Sequence, residues 1–189
     1  PGGPHAEAEA LRKAGDAARG ATAYVTLEPC SHAGRTPPCA DALIDAGVAA
    51  VHVAMLDPDG QVSGRGVEKL RAAGIEVTIG DGEVESAKLL EAYLKHRATG
   101  LPFVIAKFAA TLDGKIAASS GDSRWVAGAE ARAWAHGFRT RVDAIMCGVN
   151  NVLLDDPRLT ARPGGVAAER QPLRIVADSR GRTPLGAKV

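Results

Sequence analysis

The chain has 189 residues, of which 46% are hydrophobic and 24% charged, and its formal net charge is +1. This length allows one large domain or two small ones, and no apolar run is long enough to span a membrane. The first ten residues, PGGPHAEAEA, do not resemble a signal peptide, so we expect a cytoplasmic protein without a membrane partner. No basic cluster is interleaved with aromatic residues, so we expect no nucleic-acid partner.

The first hundred residues alternate between helical and extended patterns. Alanine- and leucine-rich stretches that end in glycine favour helices, and short runs rich in β-branched residues favour strands. The predicted helices are 5–15, 37–47, 66–74 and 83–97, and the predicted strands are 23–27, 49–55 and 75–79. This rhythm predicts a mainly parallel sheet covered by helices.

A break at RATGLP (97–102) separates these elements from a second series and is interpreted as a linker. The second series comprises predicted strands at 102–109, 143–149 and 172–178, a helix at 129–141 and a polar loop before the last strand. We therefore predict two α/β domains, 1–100 and 101–189. The chain opens shortly before a helical run and closes soon after a strand, so we expect both domains to be truncated.

The residues with the clearest chemical meaning are His5, Glu7, Cys30 and Cys39, and a proline precedes each cysteine. A catalytic zinc site uses three protein ligands and keeps one position open for water. Nucleobase deaminases add a glutamate that is not a ligand and that moves protons, in an H-x-E motif followed by a cysteine pair. The pattern predicts that His5, Cys30 and Cys39 hold zinc and that Glu7 is the general acid and base.

The spacing between the two cysteines is longer than in the general deaminase signature, where two residues separate them. The eight intervening residues can form a loop whose His32, Arg35 and Thr36 line a substrate pocket. His32 is also a rival metal ligand. The third cysteine, Cys147, lies in an apolar strand and is interpreted as a small buried hydrophobe, and an odd cysteine count argues against a disulfide framework.

Two other readings of the motif stay open at this point. One is a zinc deaminase that acts on another base or nucleoside, and the other is a structural zinc module. Structural sites usually close all four zinc positions with protein ligands, whereas the chain offers three convincing ones beside Glu7. No G-x-G-x-x-G phosphate loop occurs.

Four segments resemble one known family. TLEPCSHAGRTPPC (26–39) is similar to the deaminase domain of the bifunctional deaminase/reductases of riboflavin biosynthesis, in which the longer cysteine spacing is the usual form. KFAATLDGKIA (107–117), GDSRW (121–125) and VLLDDPRLTAR (152–162) resemble the reductase domain of that family. The resemblance implies a cytidine-deaminase-like α/β/α domain followed by a dihydrofolate-reductase-like α/β domain.

The resemblance also implies a function and a set of site residues. Zinc-dependent deamination of diaminohydroxyphosphoribosylaminopyrimidine 5'-phosphate would precede NADPH-dependent reduction of its ribosyl group to ribityl. The implied contacts to the reductase substrate are Ser123, Arg139, Leu159 and Arg162, and those to NADPH are Ala109, Trp125, Asn151, Asp155 and Ser179. Asn151 stands where the family commonly has threonine. The sequence leaves open whether the chain forms homo-oligomers.

Overall fold

The computed structural model describes residues 3–34, 36–60, 62–123 and 126–189. The chain forms two compact units, Pro1–Ile105 and Ala106–Val189. Among the described residues, every helix is too short or too polar to cross a membrane.

The first unit is built on three parallel strands in the order β1-β2-β3. Tyr24 pairs with His52, and His52 pairs with Thr78, which fixes the register across the sheet. The elements are α1 (Ala6–Ala14), a 3-10 turn (Gly15–Ala18), β1 (Thr22–Val25), α2 (Cys39–Ala46), β2 (Ala50–Val53), α3 (Arg65–Ala72), β3 (Glu76–Ile79), α4 (Glu83–Leu89) and α5 (Glu91–Thr99).

The core of this unit lies between the sheet and the helices α2 and α3. Each of these helices buries apolar residues spaced three apart, Ala40 with Leu43 and Val67 with Leu70, which is the spacing of one helix face. Val51 of β2 is fully buried against them. Packing of α2 on the sheet brings its first residue, Cys39, back toward the loop that follows β1.

The region predicted as one helix at 83–97 is two helices, α4 and α5. The break falls at Leu90, whose φ of −102° and ψ of 9° depart from helical values. Neither glycine nor proline marks this position, so the single-helix prediction was wrong at a point that carries no local sequence signal.

The second unit contains a pair of parallel strands, β4 and β5, in which Cys147 lies opposite Val176. Its elements are α6 (Ala129–Arg139), β4 (Ala144–Gly148), α7 (Val149–Asp155), a 3-10 turn (Pro163–Gly165) and β5 (Leu173–Ala177). The predicted polar loop begins with α7, which the sequence analysis missed.

The extended segment 102–109 differs from the prediction because the structure assigns it to no strand. Its apolar side chains include Val104 and Phe108, which are 74% and 77% exposed. A strand needs a neighbour for its backbone hydrogen bonds, and no such pairing involves this segment within the described ranges. The apolar pattern alone was therefore not sufficient to predict a paired strand.

Candidate metal centre and binding clusters

Three metal-binding side chains converge from different parts of the first unit. His5 precedes α1, Cys30 lies in the loop after β1, and Cys39 is the first residue of α2. One ligand atom from each lies within 4.8 Å of the other two. His5 Nδ1 is 3.2 Å from Cys39 Sγ and 3.6 Å from Cys30 Sγ.

These distances fit a single zinc ion. A tetrahedral site with Zn–N of about 2.0 Å and Zn–S of about 2.3 Å separates nitrogen from sulfur by about 3.5 Å. One imidazole and two thiolates form a donor set that zinc prefers, and three protein donors leave the fourth position open to water. Among the described residues, the group of converging donors does not include His32, the rival ligand.

The surroundings of Cys39 disfavour its thiolate form when no cation is nearby. Burial raises the pKa of the Cys39 thiol well above its ordinary value, and the charge of Glu7 and the neighbouring Cys30 raise it further. A thiol must lose its proton to bind zinc, and a divalent ion reverses this unfavourable balance. Glu7 thus lies within electrostatic and hydrogen-bonding reach of Cys39 without belonging to the three-donor group.

A cavity of about 1200 Å³ adjoins the centre and is lined by Glu7, Cys30, His32 and Thr36, among other residues. Arg35, also predicted to line the pocket, lies outside the described residues. The cavity wall includes Asp57, which the sequence analysis missed. Asp57 is 6% exposed, and the Tyr93 hydroxyl lies 2.9 Å from both of its carboxylate oxygens. The available signal was its place in the loop after β2, because functional groups gather beyond the carboxyl ends of parallel strands.

In the second unit, Arg139 and Arg162 are both half-buried and lie within electrostatic reach of each other. Arg139 Nη1 donates to the carbonyl of Thr160 at 3.0 Å. Burial and the charge of Arg162 lower the pKa of Arg139. They form a cluster with His136, whose pKa is lowered by burial first and then by the two arginines. Two cations held this close to each other favour an anionic ligand.

Several polar atoms of this cluster lack a partner. Within the described residues, the buried side-chain atoms without a hydrogen bond are His136 Nδ1, Thr160 Oγ1 and Arg162 Nε. Leu159, beside them, is 7% exposed and has a φ of +51°, a left-handed conformation that is uncommon for leucine. Buried polar atoms without partners and unusual backbone angles are both typical of functional sites.

A glutamine holds the segment that carries Leu159 and Arg162. The Gln171 side chain accepts the Ala161 N–H at 2.8 Å and donates to the Ala161 carbonyl at 3.0 Å. It also donates to the carbonyl of Ala168 at 2.7 Å. Ala161 itself is fully buried. We call these contacts of Gln171 the glutamine clamp. The sequence analysis could not predict it because Gln171 and Ala161 are ten positions apart in an irregular segment.

The residues predicted to contact NADPH are partly brought together. Asn151 Nδ2 donates to Asp155 Oδ2 at 2.7 Å across one turn of α7, directly after β4. Ala109 lies in the extended segment before α6, and Ser179 follows β5. Trp125 lies outside the described residues. Ser123, a predicted substrate contact, lines a separate cavity of about 650 Å³ with Thr111 and Asp122.

Comparison with known proteins matches both units. Residues 1–55 match the family model for the cytidine and deoxycytidylate deaminase zinc-binding region, and residues 102–189 match that for the RibD C-terminal domain. The riboflavin biosynthesis protein RibD of Aquifex aeolicus is 50% identical over 100% of this chain and 52% of its own length. RibD of Escherichia coli K12 is 48% identical over 97% of this chain and 53% of its own length.

Solved structures agree with these matches. Acinetobacter baumannii RibD, form 1, superposes with a TM-score of 0.89 at 49% identity and covers 99% of this chain and 53% of its own. The diaminohydroxyphosphoribosylaminopyrimidine deaminase/5-amino-6-(5-phosphoribosylamino)uracil reductase of Thermotoga maritima has a TM-score of 0.86 at 44% identity and covers 96% of this chain and 51% of its own.

The chain spans about half the length of these relatives. The matches confirm the predicted fold class, a cytidine-deaminase-like α/β/α part followed by a dihydrofolate-reductase-like α/β part. This chain therefore belongs to the RibD family of riboflavin biosynthesis proteins.

Proposed function

We propose that the chain carries the two activities named for its Thermotoga relative. The first is zinc-dependent deamination of diaminohydroxyphosphoribosylaminopyrimidine 5'-phosphate by the domain at 1–100. The second is NADPH-dependent reduction of the product's ribosyl group to ribityl by the domain at 101–189. The observation that carries the proposal is the convergence of His5, Cys30 and Cys39 beside Glu7.

In the first reaction, His5, Cys30 and Cys39 would hold the zinc ion. The chemistry that zinc supplies in such sites is a lowered pKa of water. Glu7 accepts a proton from the attacking water while the water oxygen bonds to the ring carbon that bears the amino group. Glu7 passes this proton to the ring nitrogen, then takes a second proton from the newly added hydroxyl and gives it to the departing amine. The carbon–nitrogen bond breaks, the hydroxyl carbon becomes a carbonyl, and ammonia leaves.

The cavity next to the centre supports a substrate larger than a bare base. Its described wall contains hydroxyl, imidazole and carboxylate groups, including those of His32, Thr36, Asp57 and Asp59. Such groups suit the amino and carbonyl substituents of a pyrimidine ring, which needs matched hydrogen-bond partners when it leaves water. We assign His32 to substrate contact rather than to the metal.

In the second reaction, the paired cations Arg139 and Arg162 would bind the substrate phosphate, with Leu159 and Ser123 contacting the rest of the substrate. Guanidinium groups are suited to phosphate because each presents two parallel N–H donors. NADPH, which supplies a hydride, would contact Ala109, Trp125, Asn151, Asp155 and Ser179. The Asn151–Asp155 hydrogen bond supports a shared polar surface on α7 for that cofactor.

We also propose a cytoplasmic location. Cys30, Cys39 and Cys147 are all free thiols, and two of them are needed as metal ligands. Reducing compartments keep thiols available for metal binding.

Three measurements on the purified 189-residue chain test the proposal. Zinc content by mass spectrometry should be about one ion per chain. Ammonia release should require the phosphorylated diaminopyrimidine, and NADPH oxidation should require the deaminated product. Zinc without ammonia release from this or any other base would favour the structural zinc module, and release from a different base would favour another deaminase.

A further inference from the structure

A second glutamate lies next to the metal centre, and the proposed chemistry does not use it. Glu28 is only 4% exposed. Its carboxylate accepts backbone N–H groups from Gly64 and Gly66 at 2.8 Å, and from Asp57 and Val67 at 3.3 Å. Two of these donors belong to the first turn of α3, where the helix dipole favours negative charge. The four contacts tie the carboxylate to both α3 and the loop that precedes it.

The peptide that follows Glu28 is wedged against the same helix. Pro29 is fully buried, and its carbonyl oxygen lies 2.0 Å from the point that a Cβ would occupy at Gly66. The Glu28 N–H also donates to the carbonyl of Met55 at 3.0 Å. Main chain and side chain therefore fix the residues just before Cys30.

Cys30 is fixed from its other side by α2. Its carbonyl accepts the Ala40 N–H at 3.1 Å, and its Sγ accepts the Cys39 N–H at 3.3 Å. The position of Cys30 Sγ relative to His5 thus depends on two attachments, one to α2 and one through Glu28 to α3. Only the second involves a side chain that can be changed without touching a metal ligand.

The same carboxylate also shapes the neighbouring cavity. Its contact with the Asp57 N–H holds the residue whose buried carboxylate accepts the Tyr93 hydroxyl. Asp57 lines the cavity beside Cys30. A single buried group therefore connects a metal donor and a cavity wall.

We infer that Glu28 is a positioning residue, which holds Cys30 Sγ at the metal centre by tying the peptide before it to the start of α3. This inference rests on the proposed zinc site. Substitution of a group that contacts a metal ligand, but not the metal itself, commonly changes metal affinity about 10- to 100-fold. Glu7 moves protons, whereas Glu28 acts only through the geometry of a ligand.

The test compares zinc affinity in Glu28→Gln and in the parent chain by competition with a colorimetric zinc chelator. Glutamine keeps the shape but offers one acceptor oxygen and turns an NH2 group toward backbone donors. We expect the zinc dissociation constant to rise about 10- to 100-fold. A dissociation constant equal to that of the parent overturns the inference.

A destabilised control separates positioning from general loss of fold. Val77→Ala removes buried volume from β3, 38 positions beyond Cys39, and should lower the melting temperature while leaving the zinc dissociation constant within about threefold of the parent. If Glu28→Gln loses no more affinity than Val77→Ala at an equal loss of melting temperature, Glu28 is merely structural. A parent chain that binds no zinc would instead remove the proposed function itself.

A second pair of variants addresses the same attachment from the helix side. Gly66→Ala would press a methyl group against the Pro29 carbonyl, whereas Gly60→Ala meets open space in the preceding loop. We expect weakened zinc binding from Gly66→Ala and parental binding from Gly60→Ala. Equal affinities in the two variants contradict the inference.

Amide exchange in the parent chain needs no variant and covers the case in which Glu28→Gln does not fold. Because coupling is reciprocal, zinc should slow exchange of the Gly64 and Gly66 amides. Zinc should slow exchange of the Gly74 amide less, because this N–H donates to the backbone carbonyl of Arg71 at the opposite end of α3. Exchange at Gly64 and Gly66 that does not respond to zinc overturns the inference.

Discussion

His5 Nδ1 lies 3.2 Å from Cys39 Sγ although the two residues are 34 positions apart in the chain. The contact exists because α1 and α2 pack together, which brings the residue before one helix to the first residue of the other. The metal centre is therefore a product of helix packing.

Removal of a single donor should abolish stoichiometric zinc binding. Cys39→Ala leaves two donors, too few for the site described here. We expect zinc content to fall from about one ion per chain to a small fraction of that, measured by mass spectrometry after dialysis. Cys147→Ala, on β4 in the second unit, is the matched control and should keep its zinc. Full zinc occupancy in Cys39→Ala would contradict the assigned ligand set.

Glu7→Gln should stop deamination and leave zinc in place. The amide cannot accept the proton of water, and general acid–base catalysis of this kind contributes about 10²- to 10⁴-fold to a rate. The readout is ammonia release alongside zinc content. Glu9→Gln removes a carboxylate from the same turn, where Glu9 pairs with Arg12 at 2.7 Å on the surface, and should retain activity. A fully active Glu7→Gln chain would leave the proton transfer to another group.

Sequence periodicity predicted the core elements of the first unit well. Apolar residues at alternating positions of a strand, or three apart on a helix, indicate a buried face. Val51 and Val53 on β2 and Val67 and Leu70 on α3 follow these patterns and are buried in the structure. The motif also identified residues that converge in space, because zinc chemistry restricts which residue types appear together. Apolar periodicity is a local signal, and the metal-binding motif is chemically specific, so both can be recognised from the sequence.

The features that sequence reasoning missed depend on distant partners. Glu28 accepts hydrogen bonds from residues 29 to 39 positions away, and nothing in TLEPC itself indicates them. The helix α7 was missed because Asn150 and Asn151 reduce its helix propensity, yet burial of Val149 and Val152 fixes it against the strands. In both cases tertiary contacts decide the outcome.

Loss of the glutamine clamp should destabilise the second unit. In Gln171→Leu, the N–H of the fully buried Ala161 loses its partner, and unsatisfied buried groups cost about 1–3 kcal/mol each. The free energy of unfolding, measured by denaturant titration, should fall by that amount. Arg170→Ala removes the adjacent exposed ion pair with Asp143 and should change it by less than about 1 kcal/mol. Equal effects from the two substitutions would show that the clamp contributes no more than a surface contact.

His136 should make the second unit less stable in mild acid. Burial and the charges of Arg139 and Arg162 lower its pKa in the folded state, so the unfolded chain takes up the proton more readily. Stability therefore falls as the pH drops through the unfolded value of about 6.5, and the loss is complete below the folded-state pKa. Melting at about pH 7.5 and about pH 5.5 should show a smaller difference for His136→Gln than for the parent. An unchanged difference would mean that other groups account for the acid sensitivity.

Bound phosphate should raise the lowered pKa of His136. An anion bound by Arg139 and Arg162 offsets the two charges that disfavour the imidazolium, so the pKa of His136 should rise toward its ordinary value. The check is an NMR titration of the His136 ring proton with and without inorganic phosphate, assigned by its absence in His136→Gln. His96, on α5 in the first unit, is the internal reference and should not respond. If phosphate shifts neither histidine, or both equally, then the anion does not bind at the paired arginines and the proposed phosphate contact is wrong. A shift confined to His136 would place the anion in the cluster that contains His136, Arg139 and Arg162.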